Sequence, residues 1–173
     1  SGYAGVWAHE NTRKSIFLAL QRRETYATTG PRMRIRIFAG FDFDDADLTA
    51  PDIAKIGYEK GVPMGGDLLP RSAKDRRSPT FLLSANKDPE GANLDRVQII
   101  KGWIENGNAR ERVYNAILGG DRRLDSDGKA SAVGNSVDQD NATYENNIGQ
   151  AQLLGIWQDP DFNPEVASVY YMR

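Results

Sequence analysis

Apolar positions along the chain change their spacing near Gly30. Between Asn11 and Arg23, Ile16, Phe17 and Leu20 fall on one face at helical spacing. Asn11 and Thr12 are good N-cap types, and Arg22 and Arg23 suit the opposite end, where the terminal carbonyls favour cations. A helix is predicted there, ending near Thr25, because Tyr26-Ala27-Thr28-Thr29-Gly30-Pro31 combines β-branched residues with a Gly-Pro breaker. From Met33 to Phe38 the period falls to two: Met33, Ile35 and Ile37 alternate with Arg34 and Arg36, the pattern of a strand with one buried face. Thr80 to Ala85, Arg96 to Ile104 and Arg112 to Leu118 read as further strands, and Asn106-Gly107 between the last two is a hairpin signal. Ala142 to Ile148 and Leu153 to Trp157 are weaker strand candidates, and Val166 to Met172 closes the series.

The connecting stretches carry turn chemistry. Asp42, Asp44, Asp45 and Asp47 lie in an acidic loop. Pro51 to Lys60 fits a short helix opened by proline or a strand around Ile53 to Tyr58, and the pattern leaves both open. Gly61-Val62-Pro63-Met64-Gly65-Gly66-Asp67 is a loop with plain-connector and lid or domain-contact readings, Pro70 to Ser78 is a basic, polar connector, and Asp127-Gly128 marks a turn. About seven strands with such punctuation predict a mainly β protein, a β-sandwich preceded by one helix, and not a βαβ fold.

Composition narrows the chemistry. The 173 residues suffice for one ordinary domain with a hydrophobic core. With 22 basic and 24 acidic residues and a formal charge of −2, no global field attracts nucleic acid or anionic lipid. No run approaches the roughly 20 apolar residues of a membrane span. Cysteine is absent and His9 is the only histidine, so neither thiolate zinc sites nor a histidine-rich metal centre can be assembled within the sequence. Localisation stays open, with periplasmic or secreted placement compatible with a full-length protein. Ser1-Gly2-Tyr3 is neither an initiator methionine nor a secretory signal, and the run Val169 to Met172 stops at Arg173 without a polar tail, so both ends are expected to be truncations.

The remaining candidates each have a plainer reading. Asp125-Ser126-Asp127-Gly128 begins like a calcium loop, but Ser136 occupies the closing position where a glutamate belongs. The cluster Asp42 to Asp47 fits a solvated acidic loop as well as a calcium site. Gly61 to Asp67 lacks the lysine and hydroxyl of a phosphate-cradling loop. Trp7, Trp103 and Trp157, with Tyr114, Tyr144, Tyr170 and Tyr171, fit sandwich packing or a sugar-stacking platform. Arg34 and Arg36 fit a solvated strand face or an anion site.

Three stretches together carry a resemblance: Gly5-Val6-Trp7-Ala8-His9-Glu10-Asn11-Thr12-Arg13 running on to Thr25-Tyr26-Ala27-Thr28-Thr29-Gly30-Pro31-Arg32, then Gly61-Val62-Pro63-Met64-Gly65-Gly66-Asp67-Leu68, then Asp88-Pro89-Glu90-Gly91-Ala92-Asn93-Leu94-Asp95-Arg96. Val133-Gly134-Asn135, Trp157-Gln158-Asp159-Pro160-Asp161-Phe162 and Val169-Tyr170-Tyr171 fit the same pattern. The chain resembles the C-terminal part of the DUF3604 proteins, a family of unknown function related to PHP-type metal-dependent hydrolases. The resemblance implies a full-length protein with an N-terminal β/α barrel whose histidines and acidic residues bind divalent metal. Residues 1–31 would then be the terminal strand-helix segment of that barrel, and 32–173 a C-terminal β-sandwich domain. It also implies continuation past Arg173. An acidic or small residue is expected where His9 stands, so no family role is carried onto His9.

On this reading the fragment alone is not an enzyme and holds no cofactor, metal or catalytic residue, whereas the full-length protein is a metal-dependent hydrolase of phosphoester or related ester bonds. The expected partner is the missing N-terminal barrel of the same protein, with self-association through exposed strand edges as a further prospect. His9, Arg32, Met64 and Asp67 are the candidate residues for an active-site rim. The alternatives are a glycan- or protein-binding sandwich module and a purely structural or oligomerisation domain.

Overall fold

The structure, a computed structural model, describes residues 2–72 and 74–173. Ser1, and Ala73 of the connector from Pro70 to Ser78, therefore lie outside the described residues. Strands β1 (Tyr3–Val6) and β2 (Thr25–Thr28) form an antiparallel pair on either side of helix α1 (Arg13–Gln21). The helix is shorter than the pattern Asn11 to Arg23 predicts. Thr12 stays extended as N-cap, its hydroxyl accepting the Ser15 N–H at 3.3 Å, and Arg23 turns left-handed at φ 63° to end it. Because β1 and β2 are antiparallel, α1 is not the crossover of a parallel βαβ unit. Ala19 is buried, but Phe17 and Leu20 remain 62% and 50% exposed.

The remainder is mainly β. One antiparallel sheet has the order β10-β5-β3-β4, built from β3 (Arg34–Gly40), β4 (Gly61–Pro63), β5 (Thr80–Asn86) and β10 (Gln152–Gln158). A three-stranded antiparallel sheet, β11-β6-β7, faces it, with β6 (Arg96–Glu105), β7 (Asn108–Leu118) and β11 (Ser168–Met172). The inner core is Phe81, Leu83 and Ala85 from β5 with Leu153 from the neighbouring β10, against Val97 and Ile99 from β6. On the other face of the four-stranded sheet, helix α2 (Ile53–Lys60) and the 3₁₀ turn Asp45–Thr49 bring Ile53, Ala54, Ile56 and Leu48 onto Phe38, Phe43 and Leu82. Strand β5 thus lies between two apolar layers, which explains its nearly unbroken apolar run Phe81-Leu82-Leu83.

Local chemistry explains the junctions. Asn106 and Gly107 both adopt positive φ, 51° and 77°, the requirement of a two-residue type I′ hairpin between β6 and β7. The ambiguous stretch Pro51 to Lys60 is a helix because the Asp52 carboxylate accepts the Lys55 N–H at 3.0 Å and caps it. The acidic loop folds into the 3₁₀ turn through a reciprocal cap between Asp44 and Asp47. Of Ala142 to Ile148 only Thr143–Tyr144 is extended, as β9 against β8 (Val137–Asp138). The residues that follow are held by Asn93, whose amide donates to the carbonyls of Asn146 and Ile148.

Candidate functional site

The two sheets differ in width, and the difference leaves a cleft of about 910 Å³. Its floor is the inward face of β3, Ile35, Ile37 and Ala39, continued by Phe81. One wall is the glycine-rich segment from Val62 to Leu68; the other is the stretch from Phe162 into β11. Gly65 shapes the first wall: its φ is +80°, and a Cβ there would lie 2.5 Å from the Arg23 carbonyl oxygen, so the loop lies tight against the turn that follows α1. Charges ring the mouth in pairs: Arg23 with Asp67 at 3.9 Å, Arg77 with Asp75 at 2.9 Å and with Asp42 at 2.7 Å, and Arg76 with Glu165. The Arg77 hydrogen bond holds the Asp75 carboxyl well below the usual carboxylate range.

Of the candidate rim residues, the structure brings Met64 and Asp67 together in the glycine-rich wall. His9 is exposed in the bend before α1. Arg32 is exposed between β2 and β3, its N–H donating to the Asp88 carboxylate at 2.6 Å. Neither lines the cleft.

Below the β11 side lies a buried polar network that alternation alone did not reveal. Lys101 of β6 is 4% exposed and Asp159 2%. Lys101 Nζ donates to Asp159 Oδ2 at 2.6 Å and to the Asp161 carbonyl at 2.8 Å. Asp159 Oδ2 also accepts the Tyr170 hydroxyl at 2.6 Å, and Oδ1 accepts the Asp161 N–H at 2.9 Å. Asp161 in turn accepts the Tyr114 hydroxyl at 2.8 Å and pairs with Arg112 at 2.9 Å. Burial, then the bond to Asp159, pushes the Tyr170 phenol far up; burial, then the bond to Asp161, does the same to Tyr114. Every member is thus occupied with its neighbours, and the network anchors the wall by joining the Asp159-Pro160-Asp161 turn to β6 and β11. The only sequence signal was the aspartate pair around Pro160.

A second cluster corrects the solvated reading of Arg36. Its guanidinium lies 3.7 Å from the centroid of the Trp7 ring and is partly buried, while the Trp7 indole N–H donates to the Ile35 carbonyl at 2.9 Å. Beside it the buried Glu24 accepts the Tyr58 hydroxyl at 3.2 Å and pairs with Arg22 at 3.4 Å. The aromatic residues mostly pack on one another: Phe81 touches Trp157 and Tyr170, and Trp157 touches Tyr114. The Asp125 carboxylate accepts the Asp127 and Lys129 N–H groups, so that segment is a self-bonded turn. Asp47 is paired with Lys60. Among the described residues, no three His, Asp or Glu side chains gather into a metal-ligand set.

Fold and cleft together define a mainly β, sandwich-like domain with an apolar groove at one open side. The chain belongs to the DUF3604 family, described as a protein of unknown function, and matches it over residues 1–173. No curated protein and no solved structure matches the chain.

Proposed function

We propose that this chain is a non-catalytic accessory domain of a PHP-like metal-dependent hydrolase, docked through its N-terminal β1-α1-β2 unit onto the metal-binding barrel of the same protein. The observation that carries this reading is the uncovered apolar surface of that unit: Tyr3, Phe17 and Leu20 are 60%, 62% and 50% exposed beside the buried Ala19. Large apolar side chains grouped on a small unit favour a contact with more protein. The resemblance to PHP-type hydrolases supplies the identity of that partner, and the barrel's divalent metal would supply the nucleophilic water for phosphoester or related ester cleavage. The described residues of this chain offer no ligand set for such a metal, so none of its side chains is given a step in the chemistry.

Incubating the purified chain with zinc or manganese and with phosphomonoester and phosphodiester chromogens tests the non-catalytic part. Release at the buffer rate is expected. Metal-dependent turnover by this chain would remove the accessory reading.

A further inference from the structure

The buried pair of Lys101 and Asp159 is arranged for more than attraction. We propose that the two side chains condense into an intramolecular amide, a covalent cross-link between the two facing sheets that depends on no part of the barrel. Lys101 belongs to β6 of the three-stranded sheet, and Asp159 directly follows β10 of the four-stranded one. The two residues are 58 positions apart, so the bond would close a loop that contains β7 and β10. The chain has no cysteine, and an amide restricts the unfolded chain as a disulfide does.

Each atom of the condensation has a partner. Lys101 Nζ lies 2.6 Å from Asp159 Oδ2, and the Asp161 carbonyl at 2.8 Å holds the same nitrogen in place. Turning the Asp159 carboxyl about its last torsion presents Cγ to that nitrogen. The Asp161 N–H, 2.9 Å from Oδ1, stabilises the negative charge that gathers on this oxygen when Nζ attacks Cγ. Oδ2 is the leaving oxygen, and the Tyr170 hydroxyl at 2.6 Å relays a proton to it. The step balances. The ammonium gives one proton to Oδ2, the Nζ–Cγ bond forms, and a second nitrogen proton reaches Oδ2 through Tyr170 as the Cγ–Oδ2 bond breaks. One water leaves, and no oxidant or other reactant enters. Holding amine and acid in contact replaces an encounter between separate groups, the largest part of the barrier to such a reaction in water. Two opposite charges become one neutral amide, so the buried site favours the product. The ion pair is the state from which the amide forms. Lys60 and Asp47, also 2.6 Å apart, provide the contrast: Lys60 is open to solvent, and among the described residues no hydroxyl donates to the Asp47 carboxylate.

Intact-mass spectrometry of the chain, followed with time from its synthesis, tests this. The expected result is a mass that falls below the sequence mass by one water. Trypsin does not cut after an amide-linked lysine, so digestion should release Val97–Arg110 joined to Ala130–Arg173 as one branched peptide. Lys101→Arg keeps a cation but cannot form the amide, and should retain its full mass. Tyr170→Phe should slow the loss of water by roughly a hundredfold. Four outcomes overturn the proposal: full sequence mass at every time, a water loss that maps to Asp127-Gly128, where an aspartate can cyclise onto the next main-chain nitrogen, an equal loss in Lys101→Arg, or an unchanged rate in Tyr170→Phe, which removes the proton relay. The unsubstituted protein decides the matter through its mass and its branched peptide even if neither variant folds.

Discussion

Lys101 and Asp159 bury opposite charges in contact, and their value depends on both being present. Removing one partner of such a pair leaves an uncompensated charge, at about 3–5 kcal/mol. Lys101→Met should therefore lower the unfolding free energy by that amount relative to the ion-paired chain, read as a lower urea midpoint at an unchanged m-value, even though methionine fits an apolar interior. Tyr170→Phe keeps the ring against Phe81 but deletes one hydrogen bond to a carboxylate, so a loss of about 1.5–3 kcal/mol is expected. A larger effect for Tyr170→Phe than for Lys101→Met would contradict this ordering. Asp47 adds a pH dependence. Burial alone would raise its pKa, but the Lys60 ammonium at 2.6 Å and the Asp44 N–H at 3.0 Å outweigh it and hold the carboxyl below its ordinary value. A carboxyl depressed on folding contributes stability above its unfolded pKa, about 3.9, and loses it as pH falls through the folded value. The Tm difference between the wild type and Asp47→Asn should accordingly be full at pH 7 and shrink below about pH 4. Lys60, raised by the same bond, has the opposite sign: its share is present below its unfolded pKa and fades as pH rises through the folded one.

Elements whose local chemistry and period agree were legible in the sequence. Asn106-Gly107 supplied both positive φ angles of the β6–β7 hairpin, and the alternation Ile35, Ile37 against Arg34, Arg36 located β3. What escaped was the environment of the polar positions. Period two places Arg36 opposite the core, but a second layer, Trp7 and Tyr58, covers that face. Lys101 interrupts an apolar run in β6, and its partner lies 58 residues away, a separation that no local pattern encodes. The cleft escaped for a related reason: strand candidates could be placed along the chain, but the inequality of the two sheets appears only once strands are paired. Helix α2 shows the limit from the other side: Pro51 to Lys60 fitted a proline-opened helix and a strand alike, and only the structure shows the Asp52 cap and the packing of Gly57. A Cβ at position 57 would stand 2.4–2.5 Å from three Phe38 ring atoms. Alanine gains about 1 kcal/mol in helix propensity over glycine, against about 1–3 kcal/mol for overpacking a core. Gly57→Ala should thus be destabilising by about 1 kcal/mol, and Phe38→Leu should reverse the sign in a double-mutant cycle followed by thermal unfolding.

For the whole molecule, the two uncovered apolar regions make separable demands. The cleft is lined mostly by the sandwich, with Thr25, Tyr26 and Ala27 of β2 at one side, whereas the side chains of Tyr3, Phe17 and Leu20 in the β1-α1-β2 unit line neither the cleft nor the inner core clusters. If the second region faces a metal-binding barrel, charges placed there should be harmless to this chain and damaging only where the barrel is attached. Phe17→Asp combined with Leu20→Asp should change the unfolding free energy of the isolated chain by no more than about 0.5 kcal/mol per substitution, as for other exposed positions. In a protein carrying both parts, the same pair should release the accessory domain: limited proteolysis around Gly30 to Met33 should quicken several-fold, while the barrel keeps its metal content. A loss above about 2 kcal/mol in the isolated chain would mean that α1 packs on this chain's own residues, and unchanged proteolysis in the joined protein would mean that the barrel does not cover the helix. Either result would leave the family assignment standing and remove the docking role from α1.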